Sequence, residues 1–168
     1  ETDEMNFIMV LVPSSFYRID IKDGKVAQFL SGVQMLEIYR ALLNQFTALL
    51  QREYGAQLIS VVLYGSVARG DARKDSDVDI IIVLEAPPVE YYKRTERVRK
   101  VLTNMEQTDE WIALNCQGYQ PYIKPIVFSK AEGEEPRYLF LDIVEDGIIL
   151  YDNQGFFARR LERLRKRL

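Results

Sequence analysis

The sequence predicts an α/β (α+β) domain, a small mixed β-sheet packed against helices. Three observations carry this. Two aliphatic runs, Leu58–Tyr64 and Val78–Leu84, read as strands, and the second is so uniformly aliphatic that it suits burial on both faces. Leu36, Tyr39, Leu43, Phe46 and Leu50 recur at spacings of three and four, so they share one face of a helix. The order helix, strand, turn, strand, helix, strand then favours a sheet with helices laid against it.

The totals narrow the function classes. A length of 168 residues with 48% hydrophobic content is enough for the core of one domain. A charged fraction of 28% and a net charge of −3 describe neither a basic nucleic-acid tail nor a disordered acidic chain. The sequence has no histidine, which removes Ser-His-Asp and Cys-His catalysis and His-ligated zinc. Its single cysteine, Cys116, excludes a disulfide framework and a four-cysteine zinc site, and it has no histidine base to activate it. No apolar run approaches the roughly 20 residues of a membrane span. The acidic start, Glu1 to Glu4, is unlike a signal peptide, so a cytoplasmic location is expected.

In chain order, residues 1–30 are expected to form an N-terminal extension or small hairpin, and residues 31–168 the main domain. Pro13 ends a first apolar run, and Asp23-Gly24 reads as a turn before the apolar residues 26–30. The first long helix is expected over 31–54, with Ser31 and Gln34 as a capping box and Gly55 as its stop. Pro87-Pro88 breaks the second aliphatic strand, with Pro88 suited to the first turn of a helix over 89–115. Lys93, Arg94, Arg97, Arg99 and Lys100 crowd that helix's first half and read as a solvated face. Residues 123–128 form another strand, which Pro125 restricts to an edge or an interrupted position. A short helix over 137–144, a strand over 148–151, a turn over 152–155 and a basic terminal helix striped by Phe157, Leu161 and Leu164 complete the chain.

The chemistry concentrates between the two aliphatic strands. Residues i and i+2 of a strand point to one face, so Asp77 and Asp79 project side by side, Cα atoms roughly 7 Å apart. Ile81 continues that face, while Val78, Ile80 and Ile82 line the other. Such carboxylates repel by about 2 kcal/mol at an effective dielectric near 20, and a divalent cation reverses the sign. Mg²⁺ suits them, being commonly held by one or two carboxylates plus phosphate oxygens. Gly65-Ser66 ends the first strand, where a glycine lets a ligand approach the backbone. Ser66 is placed to cap a short turn, Val67-Ala68-Arg69, that Gly70 closes, and Arg69 or Lys74 is placed to add charge to a phosphate site. A carboxylate pair beside a phosphate cradle points to phosphoryl or nucleotidyl transfer.

The run G-S-V-A-R-G-D-A-R-K-D-S-D-V-D, from Gly65 to Asp79, resembles the signature of the DNA polymerase β-like nucleotidyltransferase superfamily. It is most similar to that of the minimal, kanamycin nucleotidyltransferase-like members, with GS-x-A-R-G followed by S-D-x-D. The run E-D-G-I-I-L-Y-D, Glu145 to Asp152, resembles their C-terminal part. The resemblance implies a nucleotidyltransferase-like domain in which Gly65 and Ser66 hold the β- and γ-phosphates of a nucleoside triphosphate, with ATP expected, and Asp77 and Asp79 bind two Mg²⁺ ions. A hydroxyl of the acceptor then attacks the α-phosphorus and pyrophosphate leaves.

The family pattern adds a third carboxylate from a neighbouring strand. No Asp or Glu lies between Ala113 and Ser129, where that strand is expected, and Asp142 is the best later candidate if its segment is a strand. Many minimal members resemble antitoxins that modify or bind a small helical partner. The resemblance therefore leaves three readings: a transferase acting on such a partner, a catalytically reduced nucleotide- or partner-binding protein, or an RNA-modifying transferase. The N-terminal apolar segments and basic helices also permit a homo-oligomer.

Overall fold

A computed structural model describes residues 7–12, 15–20 and 26–167, with side chains from 36 to 167. Phe7–Val12 (β1) and Ser15–Asp20 (β2) pair antiparallel in a two-stranded sheet of their own. Pro13 and Asp23-Gly24 lie outside the described residues.

Helix α1 spans Val26–Tyr54. It begins before the expected start at 31, so Ser31 lies inside the helix and is not its N-cap. Val26, Ala27, Gln28, Phe29 and Leu30 include neither glycine nor proline, and three of them are sound helix formers, so nothing local prevents the earlier start. Gly55, at φ +52°, ends it as expected. A 3-10 turn, Gly55–Gln57, leads into β3, Leu58–Tyr64. The short helix α2, Gly65–Arg69, and a loop connect β3 to β4, Val78–Leu84.

The helix expected over 89–115 is two helices, α3 (Tyr91–Met105) and α4 (Asp109–Cys116). Thr108 restarts the chain by accepting from the Trp111 N–H, with Asp109 and Glu110 in the first turn favouring the positive end of the helix dipole. Pro88 falls before α3, outside its first turn. β5 (Ile123–Ser129), α5 (Lys130–Glu134), α6 (Leu139–Asp146), β6 (Ile148–Asp152), a second 3-10 turn (Asn153–Gly155) and α7 (Phe156–Arg165) follow.

The main sheet runs β5-β4-β3-β6. β3 is antiparallel to both β4 and β6, and β4 is parallel to β5. The sheet is therefore mixed, and Pro125 stands on an edge strand, where its missing N–H breaks no central ladder.

Alternation along β4 divides the core. Val78, Ile80 and Ile82 pack with Val61 and Leu63 beneath Tyr39, Leu43 and Phe46 of α1, Val98 and Val101 of α3 and Leu114 of α4. Ile81 and Val83 face the other way, onto Phe140 of α6 and Phe157 and Leu161 of α7. Phe140 meets Phe128 and Phe157 edge to face, with ring centroids 5.9 and 5.7 Å apart. Burying the sheet on both faces leaves polar side chains access only at strand ends. Asp79 stands at one of these.

Some charged residues are structural, including Arg94, which the sequence placed on a solvated face. Arg94 is buried and donates to Glu132, 2.5 Å away, and to the carbonyls of Pro88 and Val89. Glu132 completes a capping box with Ser129 at the start of α5. Asp152 accepts from the buried Ser60 hydroxyl at 2.6 Å and from the Phe157 and Ala158 N–H groups at 3.0 Å each, so it pins α7 to the sheet.

Candidate functional site

The chain reverses sharply where β3 ends. Gly65 takes φ +74°, and a Cβ built there would lie 2.4 Å from Asp79 Oδ2. This position therefore needs glycine twice, for its backbone conformation and for the carboxylate beside it. Tyr64 precedes α2 as its N-cap residue, so Ser66 is a helical residue and not the cap that its sequence position suggested. Gly70, at φ +79°, closes the helix, and its N–H together with that of Asp71 returns to the carbonyls of Val67 and Ser66.

Asp79 aligns with Tyr64 across the β3–β4 pair, which brings the Gly65-Ser66 turn and the carboxylates to one lip of the sheet. Asp77 immediately precedes β4, whose first N–H, on Val78, donates to the Tyr122 carbonyl at 2.9 Å. The Gln120 N–H donates to the Lys74 carbonyl at 2.7 Å, so the loop before Asp77 is tied to the segment before β5.

The charges around this lip are unequal. Burial, and then the neighbouring Asp77 charge, push the Asp79 carboxyl above the ordinary carboxylate range, while Lys124 and Arg69 oppose the rise. Burial and then Asp79 push the Tyr64 hydroxyl up to about 12. Lys124 pairs with Asp77 Oδ2 at 2.5 Å, and its own pKa is raised, first by that hydrogen bond. Arg69 pairs with Asp71 at 3.2 Å and lies close enough to Asp79 to affect it. Lys74 is directed elsewhere: it donates to the Gln117 carbonyl and sits over the Tyr119 ring. Its expected part in a phosphate site is not supported by this placement.

Asp142 does not lie on a strand. It is exposed on α6, whose i, i+3, i+4 pattern buries Phe140, Ile143 and Val144 instead. Among the described residues, no group of three or more His, Cys, Asp and Glu side chains is placed to hold a metal. Asp77 and Asp79 alone fit one oxygen-preferring divalent cation such as Mg²⁺.

A cleft of about 300 Å³ opens beside Asp77, lined also by Asp75, Trp111, Asn115, Gln120, Pro121 and Tyr122. Sequence reasoning missed this cleft because it sets Asp75 and Asp77, just before β4, against α4 and the approach to β5, which come much later in the chain. Tyr122 is 61% exposed.

Residues 43–132 match the family described as nucleotidyltransferase domain. The chain belongs to this family. The match takes in β3, α2, β4 and β5, and with them every residue at the lip of the sheet. A Methanocaldococcus jannaschii protein assigned as a protein adenylyltransferase is 30% identical over 132 residues, covering 74% of this nucleotidyltransferase domain protein and 79% of the relative. Spectinomycin adenyltransferase of Enterococcus faecialis, solved with ATP and spectinomycin, superposes with a TM-score of 0.53 at 11% identity. That superposition covers 71% of this chain and 58% of the other, and it shows a shared fold. A toxin-antitoxin structure with AMP-PNP matches 74% of this chain and 87% of its own, at 17% identity and a TM-score of 0.48. No helix among the described residues is long and apolar enough to cross a membrane.

Proposed function

We propose that this chain is a Mg²⁺-dependent nucleotidyltransferase that moves the nucleoside monophosphate of an NTP, with ATP the preferred donor, to a hydroxyl on a protein acceptor. The observation that carries the reading is the meeting of Gly65-Ser66 and Asp77/Asp79 at one lip of the sheet, in a chain of this family. The protein acceptor is supported by the assignment of the 30% identical relative. A small helical protein of the toxin–antitoxin kind is the first acceptor to try.

In this reading Gly65 and Ser66 receive the triphosphate, the bare Gly65 backbone allowing close approach, and Arg69 adds a positive charge nearby. Asp77 and Asp79 hold the metal, which when bound neutralises phosphate charge and polarises the phosphoryl group. The acceptor oxygen forms a bond to the α-phosphorus as the bond to pyrophosphate breaks, and the acceptor's proton passes to solvent. The cleft beside Asp77 is where the acceptor approaches, since Asp77 itself lines it.

The test is transfer of label from α-labelled ATP, with Mg²⁺ and candidate proteins, by wild type, Asp77→Asn and Asp79→Asn. Transfer by the wild type that both substitutions abolish supports the site. Transfer that survives both sinks it.

A second reading, a protein that binds nucleotide without transferring it, is favoured by one observation, the absence of a three-acid group among the described residues. Mg-ATP binding by wild type without transfer to any acceptor would establish it. The RNA reading loses ground because much of the basic face is engaged. Arg94, Arg97 and Lys93 pair with Glu132, Glu53 and Glu90, and Arg163 and Lys166 of the terminal segment pair with Glu134 and Glu162.

A further inference from the structure

We infer that Lys124 takes the place of a second metal ion: the site holds one divalent cation on Asp77 and Asp79, and the Lys124 ammonium supplies the remaining positive charge. The inference rests on the nucleotidyltransferase reading and specifies how this chain's own residues balance charge within it.

The register fixes the position. Asp79 lies opposite Lys124, Ile81 opposite Ile126 and Val83 opposite Phe128 in the parallel β4–β5 pair. Ile81, Val83, Ile126 and Phe128 all belong to one face of the sheet, so Lys124 emerges on the face that carries Asp79. Its four-carbon stem then carries the ammonium to Asp77 Oδ2. Lys124 is thus the β5 residue that stands beside Asp79 and contacts Asp77, and it is a cation.

Charge counting gives the consequence. Two carboxylates and one ammonium leave one negative charge, and a single divalent cation turns this into one positive charge. Three carboxylates need two divalent cations to reach the same value. A second cation placed here would meet an ammonium already on Asp77, and among the described residues no third acid offsets it. The pair is half exposed, with the Lys124 side chain at 53% and Asp77 at 39%, so Lys124 can be substituted without disturbing the core.

The experiment counts Mn²⁺ by electron paramagnetic resonance, with and without a non-hydrolysable ATP analogue, in wild type, Lys124→Met and Lys124→Glu. Lys124 is exposed, so both variants are expected to fold, which circular dichroism checks. Wild type should bind one Mn²⁺ per chain with the nucleotide. Lys124→Glu, which replaces the ammonium by a carboxylate, should bind two. Lys124→Met should bind one, and without nucleotide it should do so about tenfold more tightly than wild type, because the neighbouring positive charge is gone. Two ions in the wild type, one ion in Lys124→Glu, or unchanged affinity in Lys124→Met would each overturn the inference and leave nucleotide binding standing. No Mn²⁺-nucleotide bound by any of the three would overturn both it and the proposed function.

Discussion

Lys124 lies opposite Asp79 across the β4–β5 pair, yet its ammonium contacts Asp77. The two carboxylates of the lip are thereby made different. Asp77 has an ammonium against it, whereas Asp79 sits deeper, against Gly65, with its carboxyl pushed up by burial first and by Asp77 second.

The first consequence is a pH-dependent stability. A carboxyl whose folded pKa is raised favours the fold most when protonated, and that contribution is lost as pH rises through the folded value. Asp79→Asn removes the titration. In metal-free buffer the variant should melt above wild type at pH 7, and the difference should vanish below about pH 4, near the unfolded carboxylate pKa. Scanning calorimetry across this range checks it. A variant that melts below wild type at pH 7 contradicts the assignment.

Gly65→Ala meets two obstacles, a φ of +74° and the Asp79 carboxylate 2.4 Å from the new Cβ. The backbone cost alone is about 1–2 kcal/mol. Urea denaturation should show at least that loss, and metal binding should weaken as well because Asp79 is displaced.

Arg94 and Arg97 lie three residues apart in α3 but differ in what they hold. Arg94 is buried on Glu132 and two carbonyls, whereas Arg97 pairs with Glu53 at the surface. Arg94→Met should cost about 2–3 kcal/mol, since it removes the cation from the Glu132 carboxylate and the donors from two carbonyls. Arg97→Met should cost about 0.5 kcal/mol. Chemical denaturation of the two variants side by side gives the contrast, and equal losses would refute it.

Asp152→Ala should cost about 2–3 kcal/mol, because it leaves the buried Ser60 hydroxyl and the Phe157 N–H without their acceptor. Asp152→Asn keeps an acceptor oxygen and should lose about half as much. Hydrogen exchange at the Phe157 and Ala158 amides should accelerate in the alanine variant before global unfolding begins.

The central stretch was legible in the sequence because its information is local. Gly65, the strand alternation that sorts Ile81 from Ile80 and Ile82, and the proline that confines β5 to an edge all act within a few residues. The errors have physical causes of two kinds. Helix limits are decided by competing weak preferences, so Ser31, a sound cap by type, is absorbed into α1, whereas Thr108, inside an apparently continuous helix, breaks it. Roles that depend on distant partners were invisible. The basic residue Arg94 turned out to be buried, and Lys74 turned toward Gln117. Lys124 had a sequence signal, as the only charge within an otherwise apolar strand, but its meaning needed the register with Asp79.

The order of β3 between β4 and β6 has a bearing on how the chain is made. Leu63 meets Ile80 soon after it is synthesised, but its other neighbour is Ile148. At roughly 5–20 residues per second of translation, β3 waits several seconds with one flank of backbone amides and carbonyls bare. During that interval the emerging polypeptide offers a ready template to any extended segment nearby, its own β1 or a second nascent copy included. Slowing elongation after β4 should therefore lower the soluble yield, and a chaperone that shields apolar strands should restore it.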